Sequence, residues 1–83
     1  MVIYRAMHEH SDYSLDNYLV ESIIHATTRE KAENALYEYL TSKIHLSYEN
    51  KEKLKHLISI CKKKSKVMIN RFDFYWIEEV EVI

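Results

Sequence analysis

The chain contains neither glycine nor proline. A phosphate-cradling loop and a dinucleotide-binding turn both need glycine where backbone approaches phosphate, so both are excluded. A tight Asn-Gly hairpin turn is excluded too. Turns fall instead to Asn, Asp, Ser and His, which tolerate unusual dihedral angles. Cysteine is nearly absent. Cys61 stands alone, so no disulfide can form within the chain, which fits a reducing compartment. No run approaches the roughly 20 apolar residues that span a bilayer. The opening MVIYRAMHEHSDY lacks the basic stretch and apolar run of a signal peptide. These absences lead to the expectation of a soluble cytoplasmic protein with no membrane partner.

What is present reads as a globular domain. Hydrophobic residues make up 47% of the chain and aromatics 12%. Its 83 residues suffice for one domain, residues 1–83, burying roughly 60–65% of the unfolded surface. The net charge of −1 conceals strong segregation. Residues 1–50 carry four bases and eight acids, residues 51–71 eight bases and one acid, and residues 72–83 four acids and no base. Segregated charge governs which partners approach.

Residues 2–10 alternate as a strand, with Val2, Tyr4, Ala6, His8 and His10 on one face. The turn-forming SDYSLDN follows. Residues 18–26 are rich in β-branched and aromatic side chains, so a second strand should return as an antiparallel hairpin. Thr27 and Glu30 form the pattern of a capping box. The helix after it places Ala32, Ala35, Leu36, Tyr39 and Leu40 on one stripe and ends near Ser42–Lys43. Arg29, Glu33, Asn34 and Tyr37 fall on its solvated face. Ser47 or Asn50 can cap a second helix reaching about residue 65. Its apolar stripe is Leu54, Leu57, Ile58 and Cys61, and Ile60 falls outside that stripe. Residues 67–69 suit either a helix end or a short strand. Residues 71–82 form a strong strand. The expected fold is α+β, in the order β-β-α-α-β, with a three-stranded antiparallel sheet of order 2-1-3 and two helices on one face.

The opening strand, the second strand running into TTREKAENALYEYL, and the closing FYWIEEVEV together resemble a group of small uncharacterised ββαβ proteins of phages and low-G/C Gram-positive bacteria. The resemblance covers roughly residues 1–42 and 72–83 and leaves residues 43–71 outside. It implies a mobile-element origin and no particular activity.

Among residues that could carry chemistry, His8, His10 and Asp12 have a spacing within reach of one metal ion. His25 belongs to the far end of the hairpin. Surface or half-buried histidines explain the set more simply, and no metal or cofactor is expected. Cys61 lies on an apolar stripe and reads as an inert core thiol. Glu79 and Glu81 share one strand face, where outward charge protects an edge. No catalytic residues are assigned, and the chain is not read as an enzyme.

The lysines are the stronger signal. On a helix, Lys51, Lys55, Lys62 and Lys66 fall within about 60° of one another beside the apolar face, with Lys53 and Lys64 flanking its other side. Such a stripe can follow a phosphate backbone, dock on an acidic protein groove, or simply be a solvated face. The segment lacks the arginines that read bases and the aromatics that stack on them. Nucleic-acid binding through Lys51–Lys66 is therefore the alternative. The preferred expectation is a small non-catalytic protein that inhibits or modulates a host protein by occupying its surface, with a defence system as one target class. Tyr75 and Trp76 join the lysines as candidate partner-binding residues. One of the two must face the side away from the helices, which favours a homodimer.

Overall fold

The computed structural model describes residues 1–12 and 17–83. Strands β1 (Val2–Asp12) and β2 (Asn17–Ala26) form the expected antiparallel hairpin. Each begins or ends beyond its expected bound. Ser11, Asp12 and Asn17 are strand residues rather than turn, and Ser11 N donates to Phe72 O at 2.8 Å. The remainder of that turn, residues 13–16, lies outside the described residues. Pairing slips once along the hairpin. Ala6 opposes Ile24 but Met7 opposes Ser22, leaving Ile23 as the extra residue of a bulge.

Helix α1 (Arg29–Lys43) starts one residue later than the capping pattern suggested. Thr28, not Thr27, accepts from Lys31 N at 3.2 Å. With Lys31 at the third helical position, no carboxylate returns the bond. The apolar stripe is as expected: Ala32, Leu36 and Leu40 are buried. The face expected to be solvated is not wholly so. Arg29, Glu33 and Tyr37 are half-buried beside α2 (Tyr48–Ile60). Arg29 Nη2 donates to the Cys61 carbonyl at 2.8 Å and Arg29 Nε lies 3.2 Å from Glu33. Ser47 caps α2 by accepting from Asn50 N at 3.3 Å.

The second helix stops at Ile60 rather than near residue 65. Two causes act together. Arg29 satisfies the terminal carbonyl of Cys61. Beyond it, Lys62 and Ser65 exchange backbone hydrogen bonds at 3.1 and 2.9 Å and reverse the chain. That reversal delivers β3 (Val67–Met68), which pairs with Tyr75 and Phe74 of β4 (Asp73–Glu81). The sheet therefore has four strands, not three, in the order β2-β1-β4-β3, all antiparallel. β1 is flanked by β2 and β4. Its pairing with β4 runs from Val2 opposite Glu81 to His10 opposite Asp73. Beyond that ladder, Val82 N donates to Met1 O at 2.7 Å.

The core lies between one sheet face and the helices. Leu36, Leu40, Ile58, Ile77 and Cys61 are its largest fully buried side chains. Each of the large aliphatic ones contributes about 1.5–3 kcal/mol by leaving water. Tyr75 belongs to this face, since its ring meets Tyr39 of α1 edge-on, with centroids 6.3 Å apart. Trp76 has the opposite parity and lies on the face without a helix, as expected for one of the two. Yet it is only 2% exposed. Lys66 Nζ sits 4.9 Å above its ring and 2.8 Å from Glu9. Arg5 pairs with Glu78 at 2.6 Å beside it. A roof of ion pairs replaces the expected open apolar surface.

Candidate functional site

The predicted lysine stripe divides into three places. Lys51, Lys53 and Lys55 stand on α2, whereas Lys62 and Lys64 lie in the reversal after it. Lys66 is withdrawn to the opposite sheet face, where Glu9 and Trp76 hold it. Lys55 lies 5.2 Å from the Tyr37 ring centroid. Lys53, Lys62, Lys63 and Lys64 are exposed, and among the described residues none forms an ion pair with a carboxylate. The four-lysine row on one helix is therefore absent.

The structure places apolar side chains beside the remaining lysines. Leu57 is 47% exposed, Ile60 52% and Met68 64%. Leu57 was expected on the buried stripe, but only Leu54, Ile58 and Cys61 go under. A shallow groove of about 180 Å³ runs between α2 and β3 and is lined by Lys53, Leu54, Leu57, Val67 and Met68. Lys53 precedes Leu57 by one turn, and Lys62–Lys64 follow Ile60 directly. Toward the start of α2, Glu49 and Glu52 bring negative charge. The predicted contact residues Tyr75 and Trp76 are buried, at 6% and 2% exposure.

A second constellation forms at the end of β1. Alternation sends His8 and His10 to the helix-facing side, and the register brings Asp73 opposite His10. His8 Nε2 and His10 Nδ1 each lie 2.8 Å from the same oxygen, Asp73 Oδ1. His8 Nδ1 lies 3.2 Å from Glu21 Oε1 on β2. Asn70 Nδ2 donates to Asp73 Oδ2 at 2.9 Å, while Asn70 Oδ1 accepts from the Phe72 and Asp73 amides at 2.8 and 3.0 Å. The His8 ring stacks on Tyr75 at 4.7 Å, tilted by 13°. A cleft of about 270 Å³ opens onto the cluster, lined by His8, Asp73, Tyr75, Asn70, Lys43 and Ile69 among others.

The electrostatics follow from these contacts. Partial burial pushes the Asp73 carboxyl up, but hydrogen bonds from His10, His8 and Asn70 outweigh it and hold the pKa at about 2. Burial pushes the Tyr75 hydroxyl up to about 12, with smaller contributions from Tyr39, Asp73 and Glu21. Asp12, the acid suggested by spacing, is not in the cluster. Asp73, Glu21 and Asn70 were not singled out. The Asn70-x-x-Asp73 turn was a legible local signal; the cross-strand meeting was not. His25 opposes Arg5, far along the hairpin from His10. Cys61 is fully buried, and burial raises its thiol pKa above 9.0 despite lowering contributions from the Ile77 backbone and Arg29.

No family model matches the chain, and neither a curated protein nor a solved structure does.

Proposed function

We propose that this chain is a small non-catalytic binding module that docks on an acidic, partly apolar protein surface and acts by occupying it. One observation carries the reading: exposed Leu57 and Met68 share a groove with Lys53, and exposed Ile60 ends the helix just before Lys62, Lys63 and Lys64, and these lysines have no ion pair among the described residues. Exposed apolar groups flanked by lysines, with Glu49 and Glu52 confined to the start of α2, suit a partner with apolar ridges and carboxylates opposite the lysines. The apolar contact supplies affinity, and the lysines accelerate and orient the encounter. Modulation of a host protein is the use most consistent with so small a surface.

Nucleic acid is the second reading, since Lys62–Lys64 could meet phosphates. It is supported less well, because the surface mixes lysine with aliphatic side chains, Glu49 and Glu52, and stacking would fall to the exposed ring of Tyr48 beside Lys53. Two titrations decide between them, one with an acidic leucine-rich peptide and one with single- and double-stranded oligonucleotides. Peptide binding should weaken about tenfold or more in a Lys62→Glu/Lys63→Glu/Lys64→Glu variant and in Leu57→Asp. Oligonucleotide binding that falls steeply with salt and ignores Leu57→Asp would overturn the protein-docking reading. Binding to neither probe would also overturn it.

A further inference from the structure

We infer that His8, His10 and Asp73 form a binding site for one divalent transition-metal ion, with zinc the best match to the donor set. The inference is independent of the lysine surface. Its starting point is geometric. One ligand atom from each of the three residues lies within 4.8 Å of the other two. A tetrahedral ion with bonds of about 2.0–2.1 Å holds its ligand atoms about 3.3 Å apart. Both histidine nitrogens already lie 2.8 Å from Asp73 Oδ1. Small side-chain rotations therefore replace two hydrogen bonds with three bonds to an ion.

The surrounding residues prepare the ligand atoms. Ligating histidines characteristically give their other nitrogen to a carboxylate, which fixes the ring and the tautomer. His8 does this: Glu21 Oε1 faces Nδ1, and Nε2 points to the centre. Asn70 occupies Asp73 Oδ2 and leaves Oδ1 for the ion. Tyr75 stacks on His8 and fixes the ring plane. Two of the three ligands thus have an outer partner, on separate elements.

Donor arithmetic points the same way. His8 faces a carboxylate oxygen at each nitrogen. A neutral imidazole has one N–H and can serve only one of them. An ion at Nε2 leaves the proton on Nδ1 for Glu21, so both nitrogens of His8 are satisfied. Two imidazoles and one carboxylate suit zinc, and the same set suits ferrous iron. Among the described residues, the one Lys or Arg lining the cleft is Lys43, which donates to Tyr39 Oη at 2.7 Å. The cleft gives the ion a path in and leaves a fourth position for water or a partner's side chain.

The test uses the full chain, stripped with chelator and dialysed against zinc. One ion should bind per chain, with the resonances of His8 and His10 shifting on its addition. His10→Ala and Asp73→Asn should each weaken binding by about 10–100-fold. His25→Ala, at the far end of the hairpin, should bind like the wild type. Zinc should raise the melting temperature of the wild type but not of His10→Ala. Because Asp73→Asn keeps the shape and the Asn70 turn, its circular dichroism should remain that of the native fold. Failure of the wild type to bind zinc at micromolar concentrations would overturn the inference. So would equal binding by all three variants, or zinc shifts confined to His45 and His56.

Discussion

Trp76 shows how single side chains complete this fold. It occupies a sheet face with no helix above it, yet Lys66 covers its ring, and the chain has no other tryptophan. The Lys66 ammonium both lies over the indole ring and reaches Glu9. Lys66→Ala should therefore shift the fluorescence to longer wavelength and lower stability by about 1–2 kcal/mol, read from urea unfolding. Tyr75 gives a pH prediction with a definite sign. Its folded pKa of about 12 exceeds the ordinary 10.0. The fold thus favours the neutral phenol, and this stability is complete below pH 10 and lost as pH rises toward 12. Across that range the unfolding midpoint of the wild type should fall relative to that of Tyr75→Phe, which has no hydroxyl to ionise there. Cys61 should react with a thiol reagent only as fast as the domain opens, since burial keeps the thiolate scarce.

At the scale of elements, the caps are the most readily checked features. Thr28→Ala should cost about 1 kcal/mol, whereas Thr27→Ala should cost little. Arg29 is the shared fastener of the two helices. Arg29→Ala should destabilise by about 1.5–3 kcal/mol, and Arg29→Lys should not restore the loss, because one ammonium cannot hold both Glu33 and the Cys61 carbonyl in that geometry. These elements also show what sequence can and cannot reveal. The stripe of Ala32, Leu36 and Leu40 was legible because helical period alone fixes it. The end of α2 was not, since lysine favours helix and nothing local stops it at Ile60. Arg29, 32 positions away, and the pairing of β3 decide it. Likewise, spacing revealed His8 and His10 as one face, but Asp73 joins them only through the register of β1 with β4. Asp12 was the wrong acid because proximity in sequence stood in for proximity in space.

For the whole molecule, the sheet order explains where charge and apolar surface remain. The ion-pair roof over Trp76 makes that face a poor place for a second copy to dock. The outer edge of β2 is different: Tyr18, Leu19 and Val20 are exposed on a strand that, among the described residues, pairs only with β1. Self-association is expected to run through that edge by strand addition. Sedimentation at tens of micromolar should give an average mass above the monomer, and Val20→Lys should return it to the monomer value.

β1 also imposes a timetable. It precedes the other strands, and its partner on one side is at hand within a few residues. Its partner on the other side, β4, is some sixty positions later. Both helices emerge from the ribosome before the sheet they cover has its second central strand. Until β4 is made, Leu36 and Ile58 have only part of the surface on which they finally rest. The long separation of β1 from β4 slows folding relative to a chain of the same size with local contacts. A nascent chain stalled before β4 should be cut readily by protease, whereas one that includes β4 should resist.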